Sequence, residues 1–242
     1  MTRPEETRLA NDATLAGAVD ANVDEEMAVS LSDRAYKKLE ELIVTLRVAP
    51  GTVLTESSLV KELTIGRTPI REALQRLARE GLVVILPRRG ILVSEINVGK
   101  QLKLLEVRRV LERLMAVAAT ERADDAERRE FLAIAEGMER ASAENDDLTF
   151  MRYDRHLNIL LSKAARNEFA SRAMGIMHGL SRRFWYVHYK EVADLPLCTR
   201  LHADLARAIA AGDTEAAGSA SVRLIDYIEE FTRASLDARS IR

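Results

Sequence analysis

A single cysteine in 242 residues, Cys198, rules out an intrachain disulfide and any metal site built on several thiolates. Cys198 itself reads as a small, inert apolar residue. Aromatic residues are scarce at 5%, while alanine, leucine, arginine and glutamate dominate, a composition that favours helix over sheet. No apolar run approaches the roughly 20 residues needed to span a bilayer. The opening MTRPEETRLANDATLAG lacks the basic-then-apolar layout of a secretory leader. These absences point to a cytoplasmic protein with no membrane partner. What is present, 47% apolar and 31% charged residues, is ordinary globular composition, sufficient for one large domain or two modest ones.

The net charge of −2 argues against nucleic acid only until its distribution is read. Residues 1–30 hold two arginines against seven acids, have few large apolar residues, and read as a disordered arm. Residues 31–96 hold eleven lysines and arginines against eight acids, and residues 97–242 hold 23 of each sign. The positive excess sits in one segment.

Periodicity in that segment changes character four times. Ala35, Leu39, Leu42, Ile43 and Leu46 recur at helical spacing and stop before Pro50-Gly51. A short helix follows, with Thr55 as N-cap and Leu59, Val60 and Leu63 as its apolar face. A third begins at Thr68-Pro69, buries Ile70, Ala73, Leu74 and Leu77, and stops at Gly81. Leu82–Leu86 then reads as a strand, Pro87–Gly90 as a turn, and Ile91–Val93 as the return strand. Three helices and a hairpin in this order are a winged helix-turn-helix. Residues 97–99 read as a linker, and residues 95–99 as the hinge. From 100 to 242 every periodic segment is helical, beginning with Leu104, Val107, Leu111, Leu114 and Ala118, with breaks near 122, 145, 166, 194 and 212. The expected fold is mainly α: an N-terminal winged helix-turn-helix over 31–96 plus a C-terminal all-α helical bundle over 100–242.

A helix that enters the major groove presents base-reading side chains near its N-terminus, where free backbone amides also hold phosphate. Arg67, Thr68, Pro69 and Arg71 occupy that end. Arginine matches the paired acceptors of guanine, and a threonine hydroxyl suits phosphate or base. Gln75 and Arg79 continue along the same face. Arg88, Arg89 and Gly90 form the wing tip, where basic side chains lie along the backbone or in a minor groove. The expected partner is double-stranded operator DNA.

These residues carry a resemblance. Pro50-Gly51, Leu54-x-Glu56, Arg67-Thr-Pro-x-Arg-Glu-Ala-Leu74, Gly81-Leu82 and Pro87-Arg-Arg-Gly90 stand where the GntR family of bacterial transcription regulators has them. One departure is Gly66, where that family usually has serine. Glu106-Val-Arg108-x-x-Leu111-Glu112 and His202–Ile209 followed by Gly212-Asp213 resemble the FCD effector domain of its FadR-like branch. The resemblance implies a homodimer that responds to a small-molecule effector, often an organic acid, and more often represses than activates. Arg108 is the first candidate to hold a carboxylate; the plainer reading pairs it with Glu112 one turn on. Arg182 and Arg183 are weaker candidates, beside the aromatic group Trp185, Tyr186, His188 and Tyr189, which reads as packing surface.

The resemblance also implies a divalent metal, of the zinc or nickel class, held by an Asp, a His four residues on, and two later His. Here Asp154 aligns with the Asp, Asn158 with the first His, His202 with the second, and Leu224 with the last. His156 cannot substitute, because two residues along a helix turn its side chain about 200° away. Two readings stay open: an altered site of Asp154, Asn158, His202 and His178, or a metal-free effector pocket in which the same residues hydrogen-bond. The mechanism expected is a population shift in which effector binding resets the DNA-binding domains. A DNA binder with a ligand-blind C-terminal domain is the alternative, and a metal-dependent enzyme is a remote one, since no nucleophile motif or acid–base pair stands out.

Overall fold

Ser30 sets the start of the fold. The computed structural model describes residues 30–192 and 194–240, so the expected arm lies, save for Ser30, outside the described residues. The Ser30 side chain accepts from the Asp33 amide, satisfying one of the N–H groups a helix leaves free in its first turn. Helix α1 (Leu31–Val44) buries Tyr36, Leu39 and Ile43 along one stripe. It ends before Leu46, whose φ of +57° carries the chain out of helical geometry. A two-residue strand, β1 (Val53–Leu54), follows, then α2 (Glu56–Leu63), capped reciprocally by Thr55 and Ser58. Helix α3 (Arg67–Arg79) buries the expected Ile70, Ala73, Leu74 and Leu77. Strands β2 (Val83–Leu86) and β3 (Gly90–Val93) pair antiparallel, with Val83 opposite Val93 and Leu86 opposite Gly90.

Strand β1 was not expected from the sequence. It pairs with β3 at the opposite edge to make a three-stranded sheet of order β1-β3-β2. Two residues show no alternation to read, so only the pairing reveals it. The wing turn needs glycine at its end: Gly90 has φ +103°, and a Cβ there would lie 2.6 Å from the Leu54 carbonyl oxygen.

Among the described residues the C-terminal part is six helices: α4 (Val98–Arg122), α5 (Asp125–Ala143), α6 (Asp147–Ala164), α7 (Glu168–Val192), α8 (Leu195–Ala211) and α9 (Thr214–Ser240). The breaks fall where the sequence placed them. The linker does not. Asn97 caps α4 through the Lys100 amide, so Val98 and Gly99 form helix rather than a hinge. The connection is Ser94–Ile96, and the buried Arg183 guanidinium pins it by donating to the carbonyls of Ser94 (2.9 Å) and Glu95 (3.4 Å).

Helix α4 packs on α9, α5 on α8, and α9 on α8, around a core that includes Phe131, Met138, Leu157, Leu161, Ile209 and Leu224. On α4 the buried stripe runs through Leu105, Arg108, Glu112 and Met115. Val107, Val110 and Leu114 point outward instead, at 50%, 68% and 48% exposure. The two domains also pack on each other. Leu180 of α7 belongs to the N-terminal core and Val44 of α1 to the C-terminal one. At Gly179 a Cβ would meet Leu82 Cδ1 at 2.8 Å, so α7 approaches the DNA-binding domain closely there and a larger residue would have to displace the Leu82 side chain.

Candidate functional site

The end of α3 that faces solvent is built by what caps it. Gly66 occupies the N-cap and makes no side-chain hydrogen bond, and Pro69 in the first turn has no N–H to satisfy. The first bond inside the helix runs from the Ile70 amide to the Gly66 carbonyl at 3.2 Å. Thr68, where the sequence starts this helix, is its second residue. The amides of Arg67 and Thr68 are thus left for an anion such as a phosphate. Arg67, Thr68, Arg71, Gln75 and Arg79 are all exposed on the face opposite the buried stripe.

Arg71 is not loose. Its Nε and Nη2 donate to the two carboxylate oxygens of Glu56 at 3.0 and 2.9 Å. This forked pair, which the sequence reading missed, holds the guanidinium plane out from the helix and pulls the Glu56 carboxyl below its ordinary range. Arg76, on the same helix, is turned the other way. Its guanidinium lies 3.7 Å over the Tyr36 ring and its Nε donates to Glu80. At the wing, the Arg89 amide bonds the Leu86 carbonyl with Pro87 and Arg88 between them. Arg88 takes φ +63°, the pattern of a type II turn, and both Arg88 and Arg89 are exposed.

The second site is a cavity of about 40 Å³ inside the helical bundle. Arg108 of α4, Phe150 and Asp154 of α6, His178, Ser181, Arg182 and Trp185 of α7, and Cys198 and His202 of α8 line it. Four of the five expected effector residues therefore converge. Asn158 does not; it supports from behind, its amide donating to the Asp154 side chain at 3.2 Å and backbone oxygen at 2.9 Å. Arg183 is displaced too, because its neighbour Arg182 takes the cavity side of α7 while Arg183 holds the connection. Of the aromatic group, Trp185 lines the cavity and Tyr189 stacks on it at 4.6 Å. Arg108 lines the cavity and, as the plainer reading has it, pairs with Glu112 one turn on; it also bonds Ser181. The lining residues Phe150, Ser181 and Cys198 gave no sequence signal beyond helical spacing.

Charge in the cavity is arranged around Asp154. Burial alone would raise its carboxyl, but the bond to His202 and the charge of Arg182 prevail and hold it at about 2. His202 Nε2 lies 3.4 Å from Asp154 Oδ1 and Arg182 Nε 3.0 Å from Oδ2. Burial opposes protonation of His202, while Cys198 and Asp154 beside it raise it above the usual histidine range. Its Nδ1 donates to the Cys198 carbonyl at 2.7 Å. Burial, aided by Arg108, lowers His178 to about 3 and keeps it neutral. His178 Nε2 and Trp185 Nε1 have no hydrogen-bond partner among the described residues.

This donor set does not fit a divalent metal. The carboxylate that would bind the ion is already countered by the Arg182 guanidinium, and Asn158 turns its amide nitrogen, not its oxygen, toward Asp154. Leu224 is buried in the core and brings no donor. His156 pairs with Glu130, away from the cavity. Among the described residues no three of His, Cys, Asp and Glu are grouped to hold an ion. Arg182 stands where positive charge is needed.

A winged helix-turn-helix with a basic reading helix, joined to a helical bundle with a charged internal cavity, defines a DNA-binding transcription regulator rather than an enzyme. Residues 31–93 match the family described as bacterial regulatory proteins, gntR family, and residues 103–227 match the FCD domain. The chain belongs to the GntR family, in the FadR-like branch whose C-terminal part is an FCD domain. It is 26% identical over 204 residues to the HTH-type transcriptional repressor RspR of Escherichia coli K12, covering 84% of this chain and 89% of that one. Over 62 residues it is 44% identical to an HTH-type regulator from an unstable DNA locus of Streptomyces ambofaciens, spanning about a quarter (26%) of each chain. The solved structure of E. coli McbR/YncC shares the fold, with a TM-score of 0.74 at 18% identity, covering 86% of this chain and 99% of that one. No helix among the described residues is long and apolar enough to cross a membrane.

Proposed function

We propose that this chain is a ligand-responsive repressor, acting as a homodimer, whose operator affinity is set by a small carboxylate held in the cavity of the helical bundle. One observation carries the reading: Arg108, Arg182, His202 and Trp185, whose buried Nε1 has no partner among the described residues, line one pocket. A buried donor without an acceptor costs free energy until a ligand supplies one, and a carboxylate supplies several. Asp154 does not oppose this, being already countered. A ligand that binds one setting of the lining helices better than another shifts the balance between them, which is the differential interaction a switch requires.

On the DNA side the reading assigns Arg67, Arg71, Gln75 and Arg79 to the major groove, Thr68 and the first amides of α3 to phosphate, and Arg88 and Arg89 to the flanking groove. Repression follows the relative RspR. The outward face of Val107, Val110 and Leu114 on α4 is the apolar surface left for a second copy.

The test combines duplex selection from a random pool, native mass spectrometry, and melting across a panel of mono-, di- and hydroxycarboxylates. A selected duplex, a dimer, and at least one acid that both raises the melting temperature and shifts duplex affinity are expected. A selected duplex with no responding acid points to a ligand-blind DNA binder. Chelation by EDTA is expected to leave the melting temperature unchanged; a fall of several degrees would restore a bound ion to the cavity.

A further inference from the structure

We propose that Arg182 is the coupling element between the cavity and the DNA-reading helix, shared between Asp154 on the cavity side and Glu40 of the DNA-binding domain. This rests on the reading of the cavity as an effector site. The Arg182 side chain is 11% exposed. Its Nε lies 3.0 Å from Asp154 Oδ2 as an ion pair without a hydrogen bond, its Nη1 donates to Glu40 Oε1 at 2.6 Å, and its Nη2 donates to the Met151 carbonyl at 2.9 Å. One planar cation thus touches the cavity, the backbone of α6 and helix α1 at once.

From Glu40 the polar track continues to the end of the reading helix. Tyr36 stands one turn before Glu40 on α1 and donates to Glu80 Oε2 at 2.8 Å. Glu80 is the C-cap residue of α3 and also accepts from Arg76. Burial, and the charge of Glu40 close by, push the Tyr36 hydroxyl up, which keeps it a donor to Glu80. Any displacement of α1 is thereby passed to the last turn of α3.

The charge arithmetic shows which contact yields. Buried carboxylates tolerate one another only while each has a positive partner. Asp154 has three supports: His202, Arg182 and the Asn158 amide. Glu40 has two, Arg182 and Arg155, the latter at 3.0 Å. A carboxylate entering the cavity adds a third claim on the Arg182 guanidinium, and the more weakly supported Glu40 loses its share. Clefts of about 220 Å³ flank this contact, one lined by Lys37, Glu41 and Thr45, the other by Tyr36, Arg76 and Gly175. Helix α1 can therefore shift without compressing a packed core. The ligand and the seating of the DNA-binding domain compete for one guanidinium.

The decisive measurement is a double-mutant cycle of Asp154→Asn and Glu40→Gln in the full chain, read as affinity for a duplex selected by the wild type. Neither residue is assigned to DNA contact. Coupling through Arg182 predicts that the effect of Asp154→Asn changes by about fivefold or more once Glu40 is already glutamine. Effects that multiply to within about twofold overturn the proposal. Hydrogen exchange gives a readout that needs no DNA. Asp154→Asn is expected to alter amide protection in α1 and in residues 76–80 while leaving α2 unchanged; unchanged protection in residues 76–80 also overturns it. Where Asp154→Asn does not fold, Arg182→Lys serves in the same exchange experiment, because a single ammonium keeps the charge but loses the fork, and the same two outcomes decide. A wild type that selects no duplex defeats the regulator reading, and the exchange result still judges the coupling.

Discussion

Arg71 and Glu56 are locked oxygen to nitrogen at 3.0 and 2.9 Å, so the second turn of the reading helix is braced against the first turn of the helix before it. The pair is solvent-facing, and its value lies in orientation more than stability. Arg71→Ala is expected to weaken binding to a selected duplex by roughly five- to hundredfold and to relax preference at one base position. Glu56→Gln is expected to keep affinity within a few-fold while broadening sequence preference, because it frees the guanidinium without removing it. Competitive binding to a mutated duplex series separates the two. An Arg71→Ala protein with unaltered preference would remove Arg71 from the base-reading set.

Arg108 and Glu112 form a buried ion pair beside the cavity. Removing one charge strands the other, so Arg108→Met is expected to cost about 3 kcal/mol in urea unfolding, with most of it recovered in Arg108→Met/Glu112→Leu. The double variant is expected to fold yet no longer respond to any carboxylate that shifts the wild type. A response that survives in the folded double variant would take Arg108 out of the ligand site.

Val110 is the most exposed member of its apolar stripe on α4. In a two-fold interface the same residue recurs on both sides, so Val110→Glu places two like charges near the axis. The expected outcome in native mass spectrometry is a fall from twice 27.0 kDa to 27.0 kDa. A dimer that persists moves the interface elsewhere.

Glu127 caps α5 and accepts two bonds from Arg166, at 2.9 and 2.8 Å. The Arg166 bonds, with the Asp124 amide also donating, pull its carboxyl below the usual value of 4.5 against the effect of burial. A depressed folded-state value means stability that is present above about 4.5 and lost as pH falls through the lower folded value. Glu127→Gln is expected to lower the melting temperature at pH 7 by ~2–4 °C, what about 1 kcal/mol does at this chain length. The gap to wild type then narrows toward pH 3. A gap independent of pH would show that the ion pair contributes nothing.

The fold was legible wherever period and punctuation agree. Pro50-Gly51, Gly81 and Gly212 mark stops, and the six C-terminal helices break where the sequence changes rhythm. Strand β1 was illegible because two residues carry no period. The linker at 97–99 was misplaced because Val98-Gly99 looks like a break, while the cap that makes it a helix start is a single asparagine side chain. At the DNA-reading end, helical spacing alone put Arg67, Arg71, Gln75 and Arg79 on one face. The cavity was half legible: Asp154, His178, His202 and Arg108 are chemically conspicuous, but the choice between Arg182 and Arg183 turns on 100° of helix rotation. The Arg182–Glu40 contact joins residues 142 positions apart, and no local pattern announces it.

Helix α7 belongs to both halves of the molecule: Leu180 fills the core of the DNA-binding domain, and Arg182 faces the ligand cavity two residues later. The chain therefore cannot be treated as two interchangeable cassettes. Transplanting residues 31–96 onto another regulator would leave the N-terminal core without Leu180 packed against it and Glu40 without either arginine. A chimera that works would have to carry the middle of α7 along, which makes the functional unit of DNA reading discontinuous in sequence.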